Sequence, residues 1–121
     1  MRLLVVDDEP DMVYFLSLQL KESGHEVDEA YDGSEAIAWI QNSTYDVVII
    51  DASMPNMNGS DVCKFIKSHK LSTYIIGISG HPVFLKKLKN EGADICLIKP
   101  FSFDQIKRAV ENQYRSSLSN S

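Results

Sequence analysis

Five short apolar runs, each followed by an amphipathic stretch, leave this chain few ways to fold. Leu3 to Val6, Val27 to Ala30, Val47 to Ile50, Tyr74 to Ile78 and Ile95 to Ile98 read as strands. Between and after them, apolar residues recur at three-and-four spacing: Met12, Leu16 and Leu20; Ala36, Ile37 and Ile40; Val62, Phe65 and Ile66; Phe84, Leu85 and Leu88; Phe103, Ile106 and Val110. That spacing gathers side chains on one face of a helix. Punctuation agrees, with Gly24 and Gly92 where helices end, Pro10 in a first turn and Ser102 with Gln105 as a capping box. Apolar runs without polar alternation belong to strands buried on both faces, hence to a parallel sheet between two helical layers. The expected architecture is a doubly wound α/β sandwich of five βα units. A length of 121 residues suits one such domain. We assign residues 1–115 to it and expect 116–121, polar and serine-rich, to be a flexible tail or the start of a linker.

Several function classes are disfavoured. The apolar runs are about four residues long, far short of the roughly 20 that cross a bilayer. Arg2 and the short run behind it, followed by Asp7, Asp8 and Glu9, lack the apolar length and cleavage site of a secretory signal, which points to a cytoplasmic protein. Cys63 and Cys96 have no CxxC spacing and read as reduced core thiols. A net charge of -5 argues against direct nucleic-acid binding, which wants a basic surface.

Open parallel sheets bind ligands beyond the carboxyl ends of their strands. The first strand is followed there by Asp7 and Asp8, the third by Asp51, the fourth by Ser79 and the fifth by Lys99 before Pro100. Taken singly, an Asp pair is a turn or cap, and a Lys-Pro or a serine is a loop residue. Together they place three carboxylates, a hydroxyl and an ammonium on one rim. Two like charges about 4 Å apart repel by roughly 4 kcal/mol at an effective dielectric near 20, so the carboxylates need a cation or protons. All-oxygen donors with open positions suit Mg2+, Lys99 and Ser79 suit an anionic phosphoryl group, and one carboxylate remains as nucleophile.

The sequence also resembles the response-regulator receiver domains of two-component signalling from Leu3 to about Tyr114. The resemblance is carried by Val5-Val6-Asp7-Asp8-Glu9-Pro10, by Ile50-Asp51-Ala52-Ser53-Met54-Pro55-Asn56-Met57-Asn58-Gly59, by Ile78-Ser79-Gly80 and by Ile98-Lys99-Pro100-Phe101. It implies a flavodoxin-like sheet of order 2-1-3-4-5 and phosphorylation of Asp51. Asp8 and Asp51 would ligate Mg2+ directly, Asp7 through water, and Ser53 through its backbone carbonyl. Ser79, Lys99 and the backbone amides of Ala52 and Gly80 would hold the phosphoryl oxygens, and the Lys99-Pro100 bond would be cis. Val62 and Phe65 would be core, and Trp39 partly so. The partners implied are a histidine kinase or histidine phosphotransfer protein and an output domain or target protein, the receiver being a monomer or a phosphorylation-dependent dimer. Such a domain catalyses its own phosphorylation and dephosphorylation without being an enzyme in the usual sense.

Two residues depart from the family pattern. Cys96 stands where receivers usually carry Tyr or Phe, and His81 lies two residues after Ser79, close to the expected phosphoryl site. Two other functions fit the residues less well. An aspartyl-phosphate hydrolase of the haloacid-dehalogenase kind needs an aspartate two residues after the nucleophile, where this chain has Ser53. A non-phosphorylated scaffold would lack the acceptor or the lysine, and both are present.

Overall fold

A computed structural model describes residues 1–54 and 59–119 of the chain, and the side chains of 1–54 and 59–113. Pro55, Asn56, Met57 and Asn58 of the third-strand motif therefore lie outside the described residues, as do Asn120 and Ser121 at the end of the chain. Strands β1 (Arg2–Val6), β2 (Glu26–Ala30), β3 (Val47–Asp51), β4 (Tyr74–Ser79) and β5 (Ile95–Ile98) alternate with helices α1 (Pro10–Glu22), α2 (Gly33–Asn42), α3 (Gly59–Ser68), α4 (Pro82–Asn90) and α5 (Phe103–Ser119). The strands form one parallel sheet in the order β2-β1-β3-β4-β5.

Period-two alternation divides β1 and β3 between two cores. Leu4, Val6, Val48 and Ile50 join Ala36, Ile40, Val62, Ile66 and Leu88 on one face. Leu3, Val5, Val47 and Ile49 join Leu16, Leu20, Ile106 and Val110 on the other. Every residue of β3 is buried, and each large aliphatic side chain so placed contributes about 1.5 to 3 kcal/mol. The edge strands differ: β2 is mostly half-buried, and β5 is half-buried with Ile98 exposed. Burial on both faces thus holds for the three central strands, because helices cover the middle of a sheet better than its margins.

Gly24 (φ 93°) and Gly92 (φ 119°) take the left-handed conformation that follows helix ends. Pro10 occupies the first turn of α1, and Ser102 and Gln105 cap α5 reciprocally, the Ser102 amide donating to Gln105 Oε1 at 2.9 Å. The last helix continues past 115 to Ser119, so 116–119 extend α5. Adding a turn to an existing helix avoids the nucleation penalty, and serine's propensity cost is small. Val62 is buried and Phe65 packs on the same core, while Trp39 stays 38% exposed with its indole N–H on Glu29 O at 3.0 Å.

Candidate functional site

The register lines up the carboxyl ends of the central strands. Val6 pairs with Ile50, Asp51 with Ile78 and Ser79 with Ile98, so the residues just beyond these pairs share one rim. Asp7, Asp51 and Ser79 are buried there, whereas Asp8 is exposed. One carboxylate oxygen from each of Asp7, Asp8 and Asp51 falls within 4.8 Å of the others. Lys99 reaches in from β5: its amide donates to Ser79 O at 2.8 Å, and the following bond to Pro100 is cis. Its Nζ donates to Asp7 Oδ2 (2.9 Å), Asp51 Oδ2 (3.1 Å) and Glu9 Oε1 (3.2 Å), which engages all three ammonium protons.

One ammonium does not neutralise this cluster. Burial pushes the Asp7 carboxyl up to about 6, against the lowering effects of the Glu9 amide and Lys99, and repulsion from Asp51 adds to the rise. Burial acts to lower the Lys99 ammonium, but its hydrogen bonds and charge pairing with Asp7 and Asp51 prevail and raise it. An under-neutralised, oxygen-only cluster fits a small hard cation.

Beneath the rim, Gly59 opens α3 directly against β3. A Cβ at that position would sit 2.6 Å from Asp51 O and 3.1 Å from Ala52 Cα. Only glycine lets the helix start so close to the segment that presents Asp51.

Comparison with known proteins follows the same lines. The family model for the response regulator receiver domain matches residues 3–111. The chain belongs to the response regulator receiver domain family. The transcriptional regulatory protein TcrA of Mycobacterium tuberculosis is 34% identical over 107 residues, covering 87% of this chain and 42% of that protein. This receiver spans about half the length of the curated relatives it matches. Among solved structures, the receiver domain of Francisella response regulator 1452 matches with a TM-score of 0.87 at 30% identity over 96% of this chain and 98% of that one. Response regulator TrrA of Thermotoga maritima, solved in complex with Mg2+-BeF, matches with a TM-score of 0.85 at 36% identity over 93% and 97%. As a receiver of two-component response regulators, the chain is a signalling module and not an enzyme in the usual sense. Among its described residues no helix is long and apolar enough to cross a membrane.

The receiver's loops add three features. The Ala52 amide, expected at the phosphoryl oxygens, donates in this structure to Ile78 O at 2.9 Å, the bond that closes the Asp51–Ile78 pair of β3 and β4. The amide beside the carboxylate is that of Ser53, on Asp51 Oδ1 at 2.8 Å. The Ser53 hydroxyl, given no duty by the sequence, donates to the same oxygen at 2.9 Å. Glu9, in the sequence only one letter of the first-strand motif, is the third partner of Lys99. The close approach at Gly59 is the third addition; its place in the third-strand motif was the available signal. The Ser79 hydroxyl accepts the His81 amide at 3.1 Å, which leaves its own proton to donate. The exposed His81 ring stands edge-on to Phe84, with centroids 5.6 Å apart. Cys96 is half-buried against the α4 side, its thiol 3.6 Å from Leu85 O. Cys63 is buried, and that burial pushes its thiol up to about 12, as expected of an inert core cysteine.

Proposed function

We propose that Asp51 accepts a phosphoryl group from the phosphohistidine of a histidine kinase or histidine phosphotransfer protein, with Mg2+ as cofactor, in the cytoplasm. The observation that carries this reading is the bridging of two buried carboxylates, Asp7 and Asp51, by Lys99 beside the buried hydroxyl of Ser79. One oxygen of Asp51 attacks phosphorus; the phosphorus–nitrogen bond breaks, and its electron pair returns to the partner's imidazole. A carboxylate carries the attacking lone pair itself and has no proton to surrender, so it needs no general base for this. The metal, when bound, supplies positive charge where the phosphoryl oxygens gather negative charge.

Asp7, Asp8, Asp51 and the Ser53 carbonyl are the groups that would hold the ion, Asp7 through water. Lys99 then exchanges a carboxylate partner for a phosphoryl oxygen, and Ser79 donates its proton to another. The amides of Gly80 and Ala52 would complete the donors, the latter on leaving Ile78 O. Phosphorylation would alter contacts with an output domain or target protein, with 1–115 as the receiver unit and 116–121 leading toward a linker. Water attacking the same phosphorus would return the receiver to its resting form, so that the domain catalyses both steps on itself.

Incubation with acetyl phosphate and Mg2+ should add one phosphoryl group by intact mass. The gain should vanish in chelator and in Asp51→Asn. An Asp51→Asn protein labelled as readily as the unmodified chain would refute the assignment.

A further inference from the structure

Resting on the phosphoacceptor reading, we infer that the Ser53 hydroxyl is a positioning group that holds the Asp51 carboxylate through Oδ1 and competes with Mg2+ for that oxygen. The two oxygens of Asp51 are divided between different partners. Oδ1 accepts the Ser53 amide at 2.8 Å and the Ser53 hydroxyl at 2.9 Å, while Oδ2 accepts Lys99 at 3.1 Å. A carboxylate oxygen offers two lone pairs, and Ser53 fills both on Oδ1. Asp51 is only 3% exposed, so little solvent reaches it to share that role.

The chemistry needs both oxygens, one for the metal and one for phosphorus. Ser53 must therefore loosen its hold on Oδ1 before the site is complete. Its two donors are not equally able to do so. The amide is fixed by the turn between Asp51 and Ser53, whereas the hydroxyl leaves by rotation about a single bond into another staggered position. Ser53 is exposed, so a released hydroxyl finds water at once. The hydroxyl thus acts as a removable latch. It holds Oδ1 of the nucleophile and gives that oxygen up when a cation binds.

Two substitutions separate this role from a structural one. Ser53→Ala deletes the hydroxyl, and Ser53→Thr keeps it; position 53 is exposed, which favours folding of both, and urea midpoints verify it. The Mg2+ dissociation constant is measured on the full chain by amide NMR titration with MgCl2, with no phosphodonor present. Losing a charge-assisted hydrogen bond that opposes the metal should tighten binding about threefold to tenfold in Ser53→Ala, with Ser53→Thr within about twofold of the unmodified chain. Without metal, the carbon-13 shift of the Asp51 carboxyl should move in Ser53→Ala and stay in place in Ser53→Thr. Equal or weaker Mg2+ binding by Ser53→Ala, or equal tightening in both variants, overturns the latch while leaving the phosphoacceptor reading intact. An unmodified chain that shows no saturable Mg2+ response overturns both.

Discussion

Replacing Gly59 with alanine tests whether the start of α3 sets the position of the nucleophile. The added Cβ would lie 2.6 Å from Asp51 O, and 3.3 Å from its carbonyl carbon, and neither is the yielding tip of a side chain. Reaching the 3.4 Å of ordinary contact requires helix and strand to part by roughly 0.8 Å. Overpacking of this kind costs about 1 to 3 kcal/mol, and a displacement near 1 Å at a reacting group can slow chemistry about a hundredfold. Gly80→Ala is the control, since a Cβ there meets nothing within 4 Å; its stability should change by no more than about 1 kcal/mol. Urea denaturation gives the stabilities, and the time course of intact mass with acetyl phosphate and Mg2+ gives the rates. We expect Gly59→Ala to lose stability and to label at least tenfold more slowly. A variant with an unchanged midpoint and rate would show that the close approach at Gly59 constrains nothing.

Asp7 predicts a pH dependence in the metal-free protein. Its folded-state pKa of about 6 exceeds the unfolded value near 3.9, so the folded state holds the proton longer, and stability falls as pH rises from about 4 to 6. Asp7→Asn should then gain up to about 3 kcal/mol at pH 7, reduced by loss of the ion pair to Lys99, and should flatten that slope; a less stable variant with the slope unchanged would contradict this. Asp8→Ala should abolish metal-dependent labelling while hardly altering stability, because Asp8 is exposed; normal labelling without added Mg2+ would remove it from the site. Cys96 cannot fill space as an inward-turning aromatic would, so beryllofluoride should shift the amides of residues 79–86 strongly and those of 95–97 weakly. Dominant shifts at Cys96 would place the switch in β5.

The central strands and the rim were legible because both depend on local pattern. Uninterrupted apolar runs such as Val47 to Ile50 mark doubly covered strands, and in a parallel sheet the next residues share one end. The half-exposed β2 was harder to read, since Glu26, Asp28 and Glu29 face a sheet margin. What escaped the sequence depends on rotamers and on exact register. The link between Glu9 and Lys99 joins residues 90 positions apart, and the Ser53 hydroxyl finds Asp51 through one side-chain torsion.

The most direct test of the account is to locate the phosphoryl group. The receiver is labelled with acetyl phosphate and Mg2+ and then reduced with borohydride, which converts an aspartyl phosphate to homoserine, and its peptides are sequenced by tandem mass spectrometry. The account predicts homoserine at position 51 and at neither position 7 nor position 8. Homoserine at Asp7 or Asp8, or a phosphoryl group on a serine or histidine with Asp51 unmodified, would contradict it.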